Sequence, residues 1–273
     1  MTNYRNDRTE LLESDANPNV KRWRRLATDP RFVKKAGATL LEGAHLAECY
    51  FQTGLPVTNL LVAQSANAEA RHWVETYERE RGLRPRVVAD RLWQTLSPVE
   101  HGVGIMLEVS VPKPKTSTSF SREDVLYLDG VQDAGNVGTL IRTAVAAGFR
   151  TIAASPKTAG FYAPKVMRAG MGAHFGAKLI ENCPIDLFAE RYEGTILAAD
   201  ARGGEDLFAA DDYASGPVCW ILGAEGPGVS SEALAKTDRR FYIPIEEACE
   251  SLNVGAAAAV CLFDARRRRF ARR

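Results

Sequence analysis

From residue 124 onward, short apolar runs alternate with helical stretches, and that alternation leaves few folds open. DVLYLDGV (124–131), TIAAS (151–155) and TILAAD (195–200) read as strands, with AKLIENC between the last two. Between them lie a helix that follows DAGN and closes at Gly148, a helical segment around Val166 to His174, and a helix over 185–193. Runs that are apolar throughout suit strands buried on both faces, so the expected fold is α/β, with a parallel sheet covered by helices. The first half repeats the scheme on a smaller scale. NVKRWRRLATD has Val20, Trp23 and Leu26 on one helical side, and strands are expected at Leu40-Leu41, 57–65, RPRVVAD and 102–110. VPKPKTSTSFS separates the halves, because two prolines and hydroxyl residues with little apolar content read as a linker. The expected organisation is a flexible segment over 1–16, a small α/β domain over 17–111, a linker over 112–121 and a larger α/β domain over 122–273.

Composition narrows the function classes. Hydrophobic residues at 45% and charged residues at 25% fit a globular protein with a sizeable core. The five cysteines, Cys49, Cys183, Cys219, Cys249 and Cys261, form no CxxC pair, so reduced thiols, a cytoplasmic location and no metal site are expected. The apolar run from Gly255 to Phe263 is too short to span a bilayer, so no membrane association is expected. A net charge of +1 does not announce a nucleic-acid binder, but its distribution is suggestive. Seven basic residues (Lys21, Arg22, Arg24, Arg25, Arg31, Lys34, Lys35) stand against Asp29 between Val20 and Lys35, and the chain ends RRRRFARR. Such patches read either as phosphate-binding faces or as solvated surface and tail.

Three constellations carry candidate chemistry. In the stretch over 220–263, a strand at Trp220-Ile221-Leu222 breaks into Gly223, Gly226, Pro227 and Gly228, leaving Glu225 as the charge at a strand end. A second strand, Phe241 to Ile245, stops at Pro244, and a polar turn, Glu250-Ser251-Leu252-Asn253, opens a small-residue helix from Val254 to about Phe263. Two strand ends and a helix start rich in glycine and polar side chains suit a ligand site at the carboxyl edge of a parallel sheet. Alone, Ser251 or Asn253 could simply cap that helix. The third constellation is LDGVQDAGNVGTLIRTAVAAGF, where Asn136 sits at a turn and Arg142 in an otherwise apolar helix. Arg142 must meet a carboxylate (Asp129 or Asp133), a phosphate or solvent. A nicotinamide-dependent oxidoreductase fits poorly: the glycine spacing is GxxG, and TIAAS ends without the acid a ribose hydroxyl would need.

Taken together, Asp129…Asn136-x-Gly138-x-x-x-Arg142, LGAEGPG and IPI…ESLNV resemble, in order and spacing, the three motifs of the SpoU/TrmH family of RNA ribose 2′-O-methyltransferases, over about residues 124–265. NPNVKRWRRL…LLEGAHLAE is similar to the ribosomal-protein-like substrate-binding domain that accompanies many members. The resemblance implies a SPOUT fold with a deep trefoil knot at about 220–263, a homodimer through the knot region, and S-adenosyl-L-methionine held by backbone at Gly223, Ile243 and Leu252. It implies an RNA substrate, and the basic N-terminal helix favours rRNA over tRNA. Carried over by motif, Arg142 activates the hydroxyl or binds the neighbouring phosphate, Asn136 orients Arg142 or the ribose, and Glu225 holds the arginine or receives the proton. Ser251 and Asn253 fix the phosphate and shape the site. The alternative is a catalytically idle RNA-binding relative, against which these intact residues argue. Two positions depart from the family pattern: Ala134 where proline is common, and Gly255 where serine is usual, which is expected to loosen a hydrogen bond at the helix start.

Overall fold

The computed structural model describes residues 11–97, 99, 102–113, 120 and 122–270. Most of the linker, and Arg272 and Arg273 of the basic tail, therefore lie outside the described residues. The chain divides into two compact units, Met1–Lys113 with Tyr162–Phe175, and Pro114–Phe161 with Gly176–Arg273.

In the first unit, strands β1 (Leu11–Leu12), β2 (Ala38–Glu42), β3 (Val57–Ala63), β4 (Pro85–Val88) and β5 (Ile105–Ser110) form a mixed sheet in the order β1-β4-β3-β5-β2. The expectation that residues 1–16 are loosely held is corrected at its end. Leu11 and Leu12 pair in parallel with Val87 and Val88, and Asp15 bridges Arg24 and Arg91, so edge pairing plus charge hold what composition alone left free. Helix α1 (Pro18–Thr28) begins where Asn17 accepts from the Asn19 amide, with Pro18 in the first turn, and it buries Val20, Trp23 and Leu26. A buried carboxylate ties this helix to the sheet: Glu108 on β5 accepts from Arg22 Nε (2.8 Å), Trp23 Nε1 (2.9 Å) and Asn59 Nδ2 (2.7 Å). Helix α2 (Pro30–Ala36) is capped by Asp29 and closed by Gly37 in the left-handed conformation, and α3 (Ala44–Gln52), α4 (Ala68–Arg81) and α5 (Asp90–Leu96) follow it in the same unit. Tyr162–Phe175, which chain order alone places with the second half, groups here: Thr39 Oγ1 donates to Tyr162 O (2.6 Å) and Arg168 pairs with Glu42 (2.7 Å).

The second unit is built on seven parallel strands among the described residues: β6 (Val125–Asp129), β7 (Thr151–Ala154), β8 (Lys178–Ile180), β9 (Thr195–Ala199), β10 (Glu205–Asp206), β11 (Val218–Gly223) and β12 (Arg239–Tyr242). Their order is β10-β12-β9-β11-β6-β7-β8, and every neighbouring pair is parallel, as the alternation requires. Trp220, Tyr127, Phe188 and Phe241 are fully buried against it. The principal helix between strands is α6 (Ala134–Ala147), capped by Asp133 and ended by Gly148 at φ 92°. Helices α8 (Ile185–Arg191), α9 (Ser231–Leu234) and α10 (Val254–Phe270) complete the unit, α7 (Pro164–Ala169) being the helix of the inserted segment described above.

Helix α10 runs past Phe263, where the small-residue pattern stops, through the arginine run to Phe270. The reason is Asp264, which is nearly buried and accepts from Arg267 Nη2 (2.7 Å), Arg268 Nε (2.6 Å) and Tyr213 Oη (2.7 Å). Arg268 also donates to the carbonyls of Leu207 and Ala210 (3.0 Å each), and Arg269 pairs with Asp124. Much of the run is therefore consumed inside the unit, which corrects its reading as a phosphate-binding face or a frayed tail. Burial pushes the Asp264 carboxyl up, but the hydrogen bonds from Arg268, Tyr213 and Arg267 outweigh it and hold the group below its ordinary value. Asp264 thus stabilises the fold above the unfolded aspartate pKa of about 3.9, and that contribution is lost as pH falls through the lower folded value. Asp264→Ala is expected to cost about 2–3 kcal/mol at neutral pH. Urea midpoints of the two proteins should converge below about pH 4, and an unchanged gap there would rule the ionic account out.

Candidate active site at the switch point of the parallel sheet

From β6 the chain runs outward through β7 and β8, then returns on the other side, so that β11 enters between β6 and β9. The carboxyl ends of β6 and β11 are neighbours in register, Asp129 opposite Gly223. A crevice beyond adjacent carboxyl ends where the strand order reverses is where open α/β sheets bind ligands.

Backbone shape on the β11 side is dictated by glycine. A Cβ on Gly223 would lie 2.0 Å from the Gly228 carbonyl carbon and 2.1 Å from the Val229 nitrogen, because the loop folds back over its own strand end. Gly226 and Gly228 take φ of 88° and 72°, and the Gly228 amide closes the loop on Ala224 O at 2.9 Å. On the β6 side, Asp133 accepts from the Asn136 amide (2.8 Å) and so places Asn136 in the first turn of α6.

Three of the residues singled out in the sequence meet here. Asn136 Nδ2 donates to Glu225 Oε1 at 2.6 Å, and Asn253 Nδ2 donates to Asn136 Oδ1 at 3.3 Å. Asn253 Oδ1 in turn accepts from the Gly255 amide at 2.9 Å, so the capping role and the site role fall on one side chain. That bond also answers the departure at Gly255: the helix-start hydrogen bond is made by Asn253. A Cβ at 255 would sit 3.1 Å from Thr139 Cγ2, so glycine lets α10 lie close to α6.

Arg142 lies six residues beyond Asn136 on α6, about 9 Å further along the axis. It is exposed, and among the described residues it pairs with neither Asp129 nor Asp133. Asp129 instead accepts from the Ser230 amide (2.8 Å). Glu225 engages Asn136 and not Arg142, leaving the guanidinium open to an incoming anion. Ser251 is exposed, and its carbonyl accepts from the Cys249 thiol (3.3 Å); its hydroxyl joins no hydrogen bond among the described residues.

The residues at the cofactor positions fit a nucleoside with a charged tail. Ile243 is half-buried just past β12, while Ile245 and Leu252 are each 38% exposed, large apolar side chains left in solvent on an otherwise polar loop. In the glycine loop, Gly223, Gly226 and Gly228 offer peptide groups that carry no Cβ. An apolar ring against the one and polar groups against the other suit S-adenosylmethionine.

A family model described as the SpoU rRNA Methylase family matches residues 124–263. The chain belongs to that family. Similarity to SpoU methylases extends beyond the matched segment. The chain is 30% identical over 260 residues to the 23S rRNA (guanosine(2553)-2′-O)-methyltransferase RlmP of Bacillus subtilis, covering 93% of this chain and 98% of that protein. It is 29% identical over 215 residues to the 23S rRNA (guanosine-2′-O-)-methyltransferase RlmB of Pseudomonas putida, covering 78% and 79%. Among solved structures, an AdoMet-bound rRNA methyltransferase from Sinorhizobium meliloti superposes with a TM-score of 0.80 at 25% identity, covering 95% of this chain and 98% of that one. The SpoU methyltransferase AviRb of Streptomyces viridochromogenes, at 22% identity and a TM-score of 0.78, shares the fold over 93% of this chain.

Sequence reasoning missed one cluster at this edge of the SpoU sheet. Asp200, just past β9, is 4% exposed and accepts from Arg202 and Arg240. Burial raises its carboxyl, and the hydrogen bonds from Arg202 and Arg240 more than offset this, leaving it below the ordinary aspartate value. The available signal was an acid at the end of TILAA with an arginine two residues on and two glycines after it.

Proposed function

We propose that this protein transfers a methyl group from S-adenosylmethionine to a ribose 2′-hydroxyl of ribosomal RNA. The observation that carries the reading is the joined set Asn136, Glu225 and Asn253 at the sheet's switch point, with Arg142, which pairs with no carboxylate among the described residues, on the same helix as Asn136. The 2′-O-methyltransferase names of the RlmP and RlmB relatives agree with it.

Bound S-adenosylmethionine supplies a methyl group already activated by its sulfonium. The protein's share is to position the ribose oxygen and to favour loss of its proton. The Arg142 guanidinium acts as a fixed positive charge beside the forming alkoxide and the neighbouring phosphate. Asn136 orients the ribose, and its amide is held in one direction by Glu225 and Asn253. Glu225 is the carboxylate within the set and receives the proton, while Ser251 offers a free hydroxyl to the RNA backbone. Gly223, Ile243 and Leu252 hold the cofactor.

RNA engagement by the first unit is supported by its cations. Lys21, Arg25, Arg31 and Lys35 are exposed and form no ion pair among the described residues, and Arg25 is stacked on the Phe32 ring at 3.9 Å. The working form is a cytoplasmic homodimer joined through a knotted segment at about 220–263, in keeping with the exposed Phe263 on α10. Sedimentation should give a mass of twice 29.9 kDa.

Mapping 2′-O-methyl groups across total RNA from cells with and without the protein tests the assignment. One rRNA site should disappear. Loss confined to tRNA would overturn the rRNA substrate, and no loss at all would overturn the activity.

A further inference from the structure

Resting on the methyltransferase reading, we infer that Asp200, Arg202 and Arg240 form a brace that sets the glycine loop and thereby the affinity for the methyl donor. They are positioning residues, since none is among those placed against cofactor or ribose above.

The brace starts from one buried carboxylate. Asp200 Oδ1 accepts from the Arg202 amide and from Arg202 Nε, both at 3.1 Å, and Oδ2 accepts from Arg240 Nη2 at 2.5 Å. Arg240 belongs to β12. The chain after β9 turns tightly over it, for a Cβ on Gly204 (φ 113°) would fall 2.3 Å from Arg240 O. Arg202 then reaches across to the loop after β11, where its Nη2 donates to Val229 O at 3.0 Å. The same guanidinium lies against Gly228, 3.3 Å from where a Cβ would be.

What this grip does follows from the peptide it holds. Val229 O and the Ser230 N–H belong to a single peptide unit. Arg202 takes the carbonyl from the β9 side, and Asp129 takes the N–H at 2.8 Å from the β6 side. The plane directly after the glycine loop is therefore fixed at both polar atoms by charged side chains from the two strands that flank β11. Gly226 and Gly228 contribute no side chain to anchor the loop, and glycine backbone is the most free to wander. Without the brace, the loop that carries Glu225 and folds over Gly223 has lost one of its two outer ties. A well-packed fold would gain as much from apolar residues at these positions as from a buried ion cluster. The side chains of Arg202 and Arg240 are instead 58% and 42% exposed, which suits a tie to a surface loop better than core filling.

The test uses the full chain and S-adenosylhomocysteine as the probe, by calorimetry and amide hydrogen exchange. Arg202→Ala should weaken binding about tenfold, as loss of an outer tie to a ligand-holding element does. Exchange should speed up at residues 224–229 while the central strands stay protected. With methyl donor varied, the loss should appear in KM rather than in kcat. Arg202→Lys reaches one partner at a time and should fall between the two proteins. Asp200→Asn should weaken binding similarly, and the double variant should be no worse than Arg202→Ala, because both break one chain of contacts. Wild-type affinity with unchanged loop exchange in Arg202→Ala overturns the brace. So does a loss accompanied by faster exchange across the whole sheet, which would mark a purely structural cluster. A wild-type protein that fails to bind the probe overturns the methyltransferase reading together with the brace.

Discussion

Arg142→Ala should lower methyl transfer to the RNA by about two to three orders of magnitude, the cost of removing one preorganised charge from a developing oxyanion. It should leave S-adenosylhomocysteine binding and the unfolding midpoint near wild type. The physical ground is the guanidinium's isolation. It is exposed and pairs with no carboxylate among the described residues, so its loss strands no buried partner and opens no cavity. The arginine therefore has a function to lose and little stability to lose. Arg142→Lys should recover part of the rate, since a point charge replaces the field but not the two-pronged donation to phosphate or ribose. Single-turnover methylation with saturating cofactor separates these outcomes. A substantial rate in Arg142→Ala would overturn its catalytic assignment, and a proportional loss of cofactor affinity would move it to the cofactor site.

Gly223→Ala should be the most damaging substitution of a single methyl group in the second unit. The added carbon would meet the Gly228 carbonyl carbon at 2.0 Å and the Val229 nitrogen at 2.1 Å. Both are backbone atoms, so no side-chain rotation relieves the clash. The loop must lift off the strand end, which carries Glu225 away from Asn136 and spoils the closure of Gly228 on Ala224. Overpacking of this kind costs about 1–3 kcal/mol or more. Because the displaced loop is the one proposed to hold cofactor, S-adenosylhomocysteine affinity should fall by at least about 100-fold, the equivalent of roughly 2.7 kcal/mol. Gly216→Ala is the control. Nothing lies within 4 Å of its added carbon and its φ is not positive, so both stability and binding should stay near wild type. If Gly223→Ala binds the probe as wild type does, the loop is not the cofactor loop.

The sequence is explicit wherever the physics is local. Apolar runs of strand length separated by helical periodicity suit a parallel α/β sheet, and in the second unit the sheet is parallel throughout, whereas the first unit's sheet is mixed. Val20, Trp23 and Leu26 share a helical side by spacing alone and are buried together. The clustering of Asn136, Glu225 and Asn253 was also foreseeable, since each sits at the end of a strand or the start of a helix, and those ends meet at the switch point. Which of them touch was not foreseeable. Arg142 and Glu225 were natural partners by charge, yet Glu225 took Asn136, because Asp133 caps α6 and places Asn136 opposite the loop.

What the chain determined by itself is the set of elements and their ends, because propensity, periodicity and glycine act over a few residues. Tertiary structure alone decided the uses of charge. The arginine run after Phe263 reads as a tail until Asp124 and the carbonyls of residues 207 and 210 come within reach. Asp200, Arg202 and Arg240 read as scattered surface charges until β9, β11 and β12 bring their ends together. The ties from Arg202 to Val229, from Arg240 to Asp200 and from Arg269 to Asp124 join residues tens of positions apart, so their geometry exists only once the sheet order exists, and no local pattern encodes that order.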